Sequence, residues 1–192
     1  MRIVAGRWRG RRLEAPPGEA TRPTADRVRQ ALFDMLWHAP WAGRERVEGA
    51  TVLDAFAGTG AMGLEALSRG AARATFLEND RAALAALRSN LETCLGAGAA
   101  RGGGPARILS GDATKPPRAD APCGLIFLDP PYGQELGATA LAALRGAGWV
   151  APGAVACLEL GRTEAAPELP GWESVAERAH GAARLLVLRD AG

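Results

Sequence analysis

A carboxylate, two prolines and a phenol stand in a row at Asp129, Pro130, Pro131 and Tyr132, directly after the apolar run 125–128. An amino group on an aromatic base is a weak nucleophile, because its lone pair is delocalised into the ring. Two acceptors held against one such nitrogen favour its pyramidal form and free the lone pair. Asp129 offers a carboxylate. Pro130 offers a carbonyl, has no N–H to compete, and has φ fixed at about −65°. Each proline also biases its predecessor toward extended backbone, so both acceptors are preorganised toward the charge that develops on nitrogen. Tyr132 then provides a ring on which a base rotated out of its helix can stack. These four residues are the candidate catalytic set.

A second constellation lies upstream. Gly58-Thr-Gly60-Ala-Met-Gly63 follows the apolar stretch 51–56, and Glu78 comes 20 residues after Gly58. That spacing satisfies the dinucleotide fingerprint, with the acid placed for ribose hydroxyls. Asp54, four positions before Gly58, argues against a pyrophosphate. Like charges at such distances repel by on the order of a kcal/mol or more. A ligand with an ammonium and a sulfonium, and no phosphate, suits that carboxylate; S-adenosylmethionine is such a ligand. Glycines let its methionyl part approach the backbone. Asp112, in Ser-Gly-Asp-Ala, is placed to accept from the adenine amino group, and Asp80 to cap the helix after it.

These residues need a scaffold. Short apolar strands at 51–56, 73–79, before Asp112, before Asp129 and at 155–160 alternate with helical patterns, notably 81–95. The alternation predicts an open, mostly parallel sheet covered on both faces. Ligands of such sheets bind at the carboxyl ends of strands, near the topological switch. Asp54, Glu78, Asp112 and Asp129 are all expected on that rim. Upstream, a helix is expected from a cap at Thr24, with Val28, Leu32, Met35 and Leu36 on one face and Arg27 and Arg29 off it. Residues 172–179 and 183–189 read as a closing antiparallel hairpin, and 2–18 as two extended pieces broken at Gly6 and Gly10.

Composition bounds the rest. At 192 residues the chain fits one domain with a small appendage. Cys94, Cys123 and Cys157 are odd in number and lack metal-ligand spacing, so they read as core residues of a reduced, cytoplasmic protein, and no metal is expected. No apolar run approaches the roughly 18 residues of a membrane span, and no signal peptide is visible. The net charge of +2 conceals an asymmetry: residues 1–30 hold eight arginines against three acids, or +5, which leaves −3 for the remaining 162. A basic arm on a mildly acidic body suits a polyanionic partner.

The blocks 2–13, 21–36 (TRPTADRVRQALFDML), 52–71, 76–91 and 128–133 (LDPPYG) together resemble the bacterial RsmD family, which methylates the guanine exocyclic amine of small-subunit ribosomal RNA. The resemblance covers nearly the whole chain, and the TRPTADRVR block is its most specific part. It implies a Rossmann-like class I methyltransferase fold: α/β, a mostly parallel seven-stranded sheet with helices on both faces, and a small N-terminal β-hairpin. The basic extension would be residues 1–20 and the methyltransferase domain 21–192. It further implies that Asp54, Phe56, Gly58 and Gly60 contact the methionyl part of S-adenosylmethionine, Glu78 its ribose and Asp112 its adenine. Arg22 and Thr24 would lie over the cofactor, Arg29 close to the RNA, and Asp129, Pro130 and Tyr132 on the guanine. Arg7, Arg9, Arg11 and Arg12, interleaved with Trp8, would neutralise phosphates and stack on a splayed base. The implied partner is 16S rRNA, free or within a 30S particle, and the implied state a monomer. Adenine amino methylation of DNA is the alternative within the class. A nicotinamide-dependent oxidoreductase, or a ribosome-assembly protein without catalysis, are alternatives outside it.

Overall fold

The computed structural model describes residues 1–16, 23–101, 104–131 and 136–192, with the backbone alone for residues 23–25 and His180. The elements follow in order: α1 Pro23–His38, β1 Thr51–Ala55, α2 Ala61–Ser68, β2 Arg73–Glu78, α3 Arg81–Leu95, β3 Ala106–Ser110 and β4 Cys123–Leu128. Then come α4 Leu136–Gly146, β5 Val150–Gly161, β6 Trp172–His180 and β7 Ala183–Asp190. The seven strands form one sheet in the order β3-β2-β1-β4-β5-β7-β6. The first five run parallel. β7 is antiparallel to β5, and β6 to β7.

Successive strand residues serve opposite faces, as the period of two requires. Val52, Leu125 and Phe127 join a core with Leu32, Phe33 and Leu36 of α1, Leu64 and Leu67 of α2 and Leu87 of α3. Leu53, Ile126 and Leu128 join another with Leu141 and Leu144 of α4. α1 begins at Pro23, one residue before the expected cap, so Thr24 lies within the first turn. Proline favours that first helical position, because its φ is already helical and no hydrogen bond is lost there.

The basic arm doubles back on itself and packs into the first core. Its pairing is a single antiparallel bridge, Arg2 with Arg12, flanked by backbone bonds such as Ile3 N–H to the Arg11 carbonyl at 2.9 Å. A 3₁₀ turn, Gly6–Trp8, makes the bend. Gly6 has φ 78°, and a Cβ there would come within 2.0 Å of the Ser68 carbonyl oxygen, so only glycine fits. Ile3 and Leu13 are buried with α1, α2 and α3.

Glu65 of α2 fastens this arm. It is fully buried and accepts from Val4 N–H at 2.7 Å, Ala5 N–H at 2.9 Å and Arg69 Nε at 2.7 Å. Arg29 Nε lies 3.5 Å from its other side. Removing one member of a buried charge network leaves the rest unpaired, which costs about 3–5 kcal/mol. Glu65→Ala is expected to lower the urea midpoint accordingly, and to abolish hydrogen-exchange protection of the Val4 and Ala5 amides.

Candidate active site

Four neighbouring parallel strands deliver the four acids to one rim. Asp54 is the penultimate residue of β1 and Glu78 the last of β2; Asp112 lies two past β3 and Asp129 one past β4. The strand order reverses between β1 and β4, since β2 and β3 lie on one side of β1 and β4 and β5 on the other. That is the position where such sheets bind ligands.

Asp54 points into the face shared with Phe76 and is 3% exposed. Its Oδ2 accepts the Gly63 N–H at 2.8 Å, which ties β1 to the first turn of α2. Burial pushes its carboxyl up to about 8; the Gly63 N–H and Arg29 oppose this, while the charges of Asp129 and Glu78 add to it. Asp54 therefore feels the charges of two of the other rim acids.

The loop between β1 and α2 turns through left-handed backbone. Phe56 has φ 63°, the only non-glycine positive φ among the described residues, and Gly58 and Gly60 follow at 53° and 78°. A phenylalanine there costs roughly 1–3 kcal/mol, and such strain clusters at ligand-binding sites. A Cβ on Gly60 would strike Leu87 at 2.4 Å, whereas one on Gly58 would meet nothing within 4 Å. Gly60 is thus dictated by packing, and Gly58 borders open space on the rim.

Glu78 grips the same loop. Its Oε2 accepts Gly58 N–H at 2.7 Å, and its Oε1 accepts the Asn79 and Asp80 N–H groups at 2.8 Å each. Three of its roughly four lone-pair sites are taken by backbone, a role that the ribose expectation did not include. Asp80 caps α3, accepting Ala83 N–H at 2.8 Å. Asp112 Oδ1 accepts the Thr114 N–H and hydroxyl, both at 2.8 Å. Those bonds hold its carboxyl below the usual range.

At the end of β4 Asp129 and Pro131 are exposed, and Pro130 between them is buried. Tyr132 and Arg22 lie outside the described residues, as does the side chain of Thr24.

On the arm Arg7, Arg9, Arg11 and Arg12 are exposed. Arg7 stacks over the Trp8 ring at 4.1 Å, and Arg11 donates to the Thr93 carbonyl. Trp8 is half-buried, packed on the first core, so one side of its ring is committed to the body.

Arg29 departs from expectation. It is 3% exposed and donates to the Arg2 carbonyl at 2.5 Å and to Asp26 at 2.8 Å, beside Glu65. Its guanidinium binds the arm to α1 and α2 and does not face solvent. The pattern of α1 places it off the apolar stripe; in the fold it is buried against Glu65 and the Arg2 carbonyl. Glu65, Arg69 and Asn90 were missed altogether. One signal was available: Glu65 is the sole charge in the otherwise apolar AMGLEALS of α2.

Two cavities lie apart from this rim, about 500 Å³ beside Arg7, Trp37 and Ser68 and about 620 Å³ beside Arg73, Arg107 and Trp149. None of the four acids lines either.

A sheet with this strand order, a strained glycine loop after β1 and an Asp-Pro-Pro stretch after β4 define a Rossmann-like class I methyltransferase. The chain belongs to the family described as Conserved hypothetical protein 95, whose model matches residues 1–189. It is 38% identical to Ribosomal RNA small subunit methyltransferase D of Escherichia coli K12 over 94% of this chain and 85% of that protein. The Haemophilus influenzae protein of the same name is 34% identical over 94% and 89%. Among solved structures, yhhF of Escherichia coli matches with a TM-score of 0.82 at 36% identity, covering 99% of this chain and 97% of that one. The rRNA methyltransferase aviRa of Streptomyces viridochromogenes, at 19% identity and a TM-score of 0.66 over 93% and 89%, shares the fold.

Proposed function

We propose that this protein transfers a methyl group from S-adenosylmethionine to the exocyclic N2 amino group of a guanine in 16S ribosomal RNA. The observation that carries this reading is the adjacency of β1 and β4 at the switch point. It sets the acceptor pair of Asp129 and Pro130 beside the buried Asp54. The relatives named Ribosomal RNA small subunit methyltransferase D, to which the chain is similar along nearly its whole length, support small-subunit rRNA as the substrate.

The residues present fit the cofactor. Asp54 would face its cationic end, Phe56, Gly58 and Gly60 would border the methionyl part, and Glu78 and Asp112 would take ribose and adenine. A Cβ at Gly58 would project into open space, which is the room such a ligand needs. Arg22 and Thr24 would lie over it. The cofactor supplies an electrophilic methyl group on a sulfonium. Asp129 and the Pro130 carbonyl accept from the two amino protons of the guanine, freeing its lone pair, and Tyr132 holds the ring. No covalent enzyme intermediate is needed. Residues 1–20 act as an RNA-binding extension of the 21–192 domain, and the protein works as a monomer in the cytoplasm on 16S rRNA or a 30S particle.

Labelled methyl transfer to 16S rRNA, 30S particles and DNA, followed by nucleoside analysis, tests the reading. N2-methylguanosine in RNA is the expected product; N6-methyladenine in DNA would replace this proposal with the adenine alternative. The double variant Arg9→Ala/Arg12→Ala is expected to weaken RNA binding and to flatten its salt dependence by about 0.7–0.9 per arginine in log–log slope. Affinity for S-adenosylhomocysteine alone stays unchanged in that variant, by calorimetry.

A further inference from the structure

Asn90, in the third turn of α3, is 1% exposed. Its Oδ1 accepts the Glu14 N–H at 2.7 Å, and its Nδ2 donates to the Glu14 carbonyl at 3.0 Å and to the Thr59 carbonyl at 2.9 Å. Glu14 follows the paired part of the basic arm. Thr59 stands between Gly58 and Gly60. One buried amide therefore bonds the arm and the glycine loop together. The preceding residue of the loop, Gly58, donates to Glu78. The bonded path runs Glu14, Asn90, Thr59, Gly58, Glu78. At the other end of the arm the Met1 sulfur lies 3.5 Å from the Thr59 hydroxyl.

The chemistry at position 90 admits little else. The side chain must accept on one side and donate twice on the other, which an amide does and a carboxylate or an alkyl group does not. Asparagine occurs only twice in the 192 residues, so compositional bias does not account for its presence at this junction.

We propose that Asn90 is a positioning residue that couples the arm to the cofactor loop, so that RNA on the arm and the cofactor in the loop bind cooperatively. This rests on the methyltransferase reading above. Linkage makes the effect reciprocal: whatever factor RNA confers on cofactor affinity, the cofactor confers on RNA affinity. Couplings of this kind are typically about fivefold or more.

Calorimetry of the full-length protein with S-adenosylhomocysteine, with and without saturating unmodified 16S rRNA, reads the coupling directly. About fivefold or greater tightening by RNA is expected in the wild type, and a ratio near one in Asn90→Asp, which cannot donate to Thr59. A merely structural Asn90 would weaken both affinities and leave the ratio as it was. Hydrogen exchange on the wild type gives a reading that does not depend on any variant folding: RNA should raise protection at Gly60 and Leu64, and S-adenosylhomocysteine at Glu14. A wild-type ratio of one, an unchanged ratio in Asn90→Asp, or no change in protection overturns the coupling. Failure of the wild type to bind S-adenosylhomocysteine or RNA at all would instead overturn the proposed function.

Discussion

Asp129→Ala is expected to slow methyl transfer by about 10²–10³-fold, the loss that follows removal of one preorganised group facing a developing charge. The residue is exposed, and substitutions at exposed sites usually change stability by no more than about 0.5 kcal/mol. The variant should therefore fold as the wild type does. Above about pH 8, where Asp54 is charged in both proteins, it should bind S-adenosylhomocysteine equally well, so that the rate defect there lies in the chemical step. Single-turnover methylation of rRNA measures that step. Asp129→Asn keeps one acceptor oxygen but loses the charge, and its rate should fall between the two. A full single-turnover rate in Asp129→Ala would remove this carboxylate from the mechanism.

The second large effect belongs to Asp54. Its carboxyl is held at about 8 in the fold against an ordinary value of 3.8. The folded state thus keeps a proton that the unfolded chain gives up near pH 4. The stabilisation from that proton is complete below about pH 4, declines as pH rises, and is gone above about pH 8. Its full span is on the order of several kcal/mol. Asp54→Asn, neutral at every pH and still able to accept from Gly63, should abolish this part of the pH dependence in urea unfolding.

A cationic ligand beside Asp54 favours its charged form. Cofactor binding near pH 7 should therefore release a proton, and affinity should rise by up to about tenfold per pH unit until it levels off near pH 8. Calorimetry in buffers of differing ionisation enthalpy counts that proton. In Asp54→Asn the count should drop to zero. Asp129→Ala, by removing one of the charges that raise Asp54, should move the plateau to lower pH.

The parts that carry their instructions locally were legible in the sequence. α3 has an acid cap at Asp80 and a glycine at its end, and both limits of 81–95 were readable. The acids at the strand ends followed from strands read by apolar runs. β5 was read as 155–160 but spans Val150–Gly161. Pro152 and Gly153 interrupt its apolar run, and the strand absorbs them in a register shift opposite Cys123 and Leu125. The partners of Arg29, Glu65 and Asn90 lie beyond local reading for a different reason. Each of the three is buried by partners 27 to 76 residues away in the chain, and no window of sequence contains both halves of such a contact.

Those separations bear on how the protein is made. The basic segment leaves the ribosome before its anchors: Glu65, Ser68 and Asn90 follow 60 to 76 residues later. At ordinary elongation rates of about 5–20 residues per second, the wait for Asn90 is roughly 4–15 s. Glu65 and Ser68 emerge before that wait is over, and the Asn90 anchor comes last. Docking is therefore a late event in biosynthesis, and the β1–α2 loop gains its Asn90 tether only then.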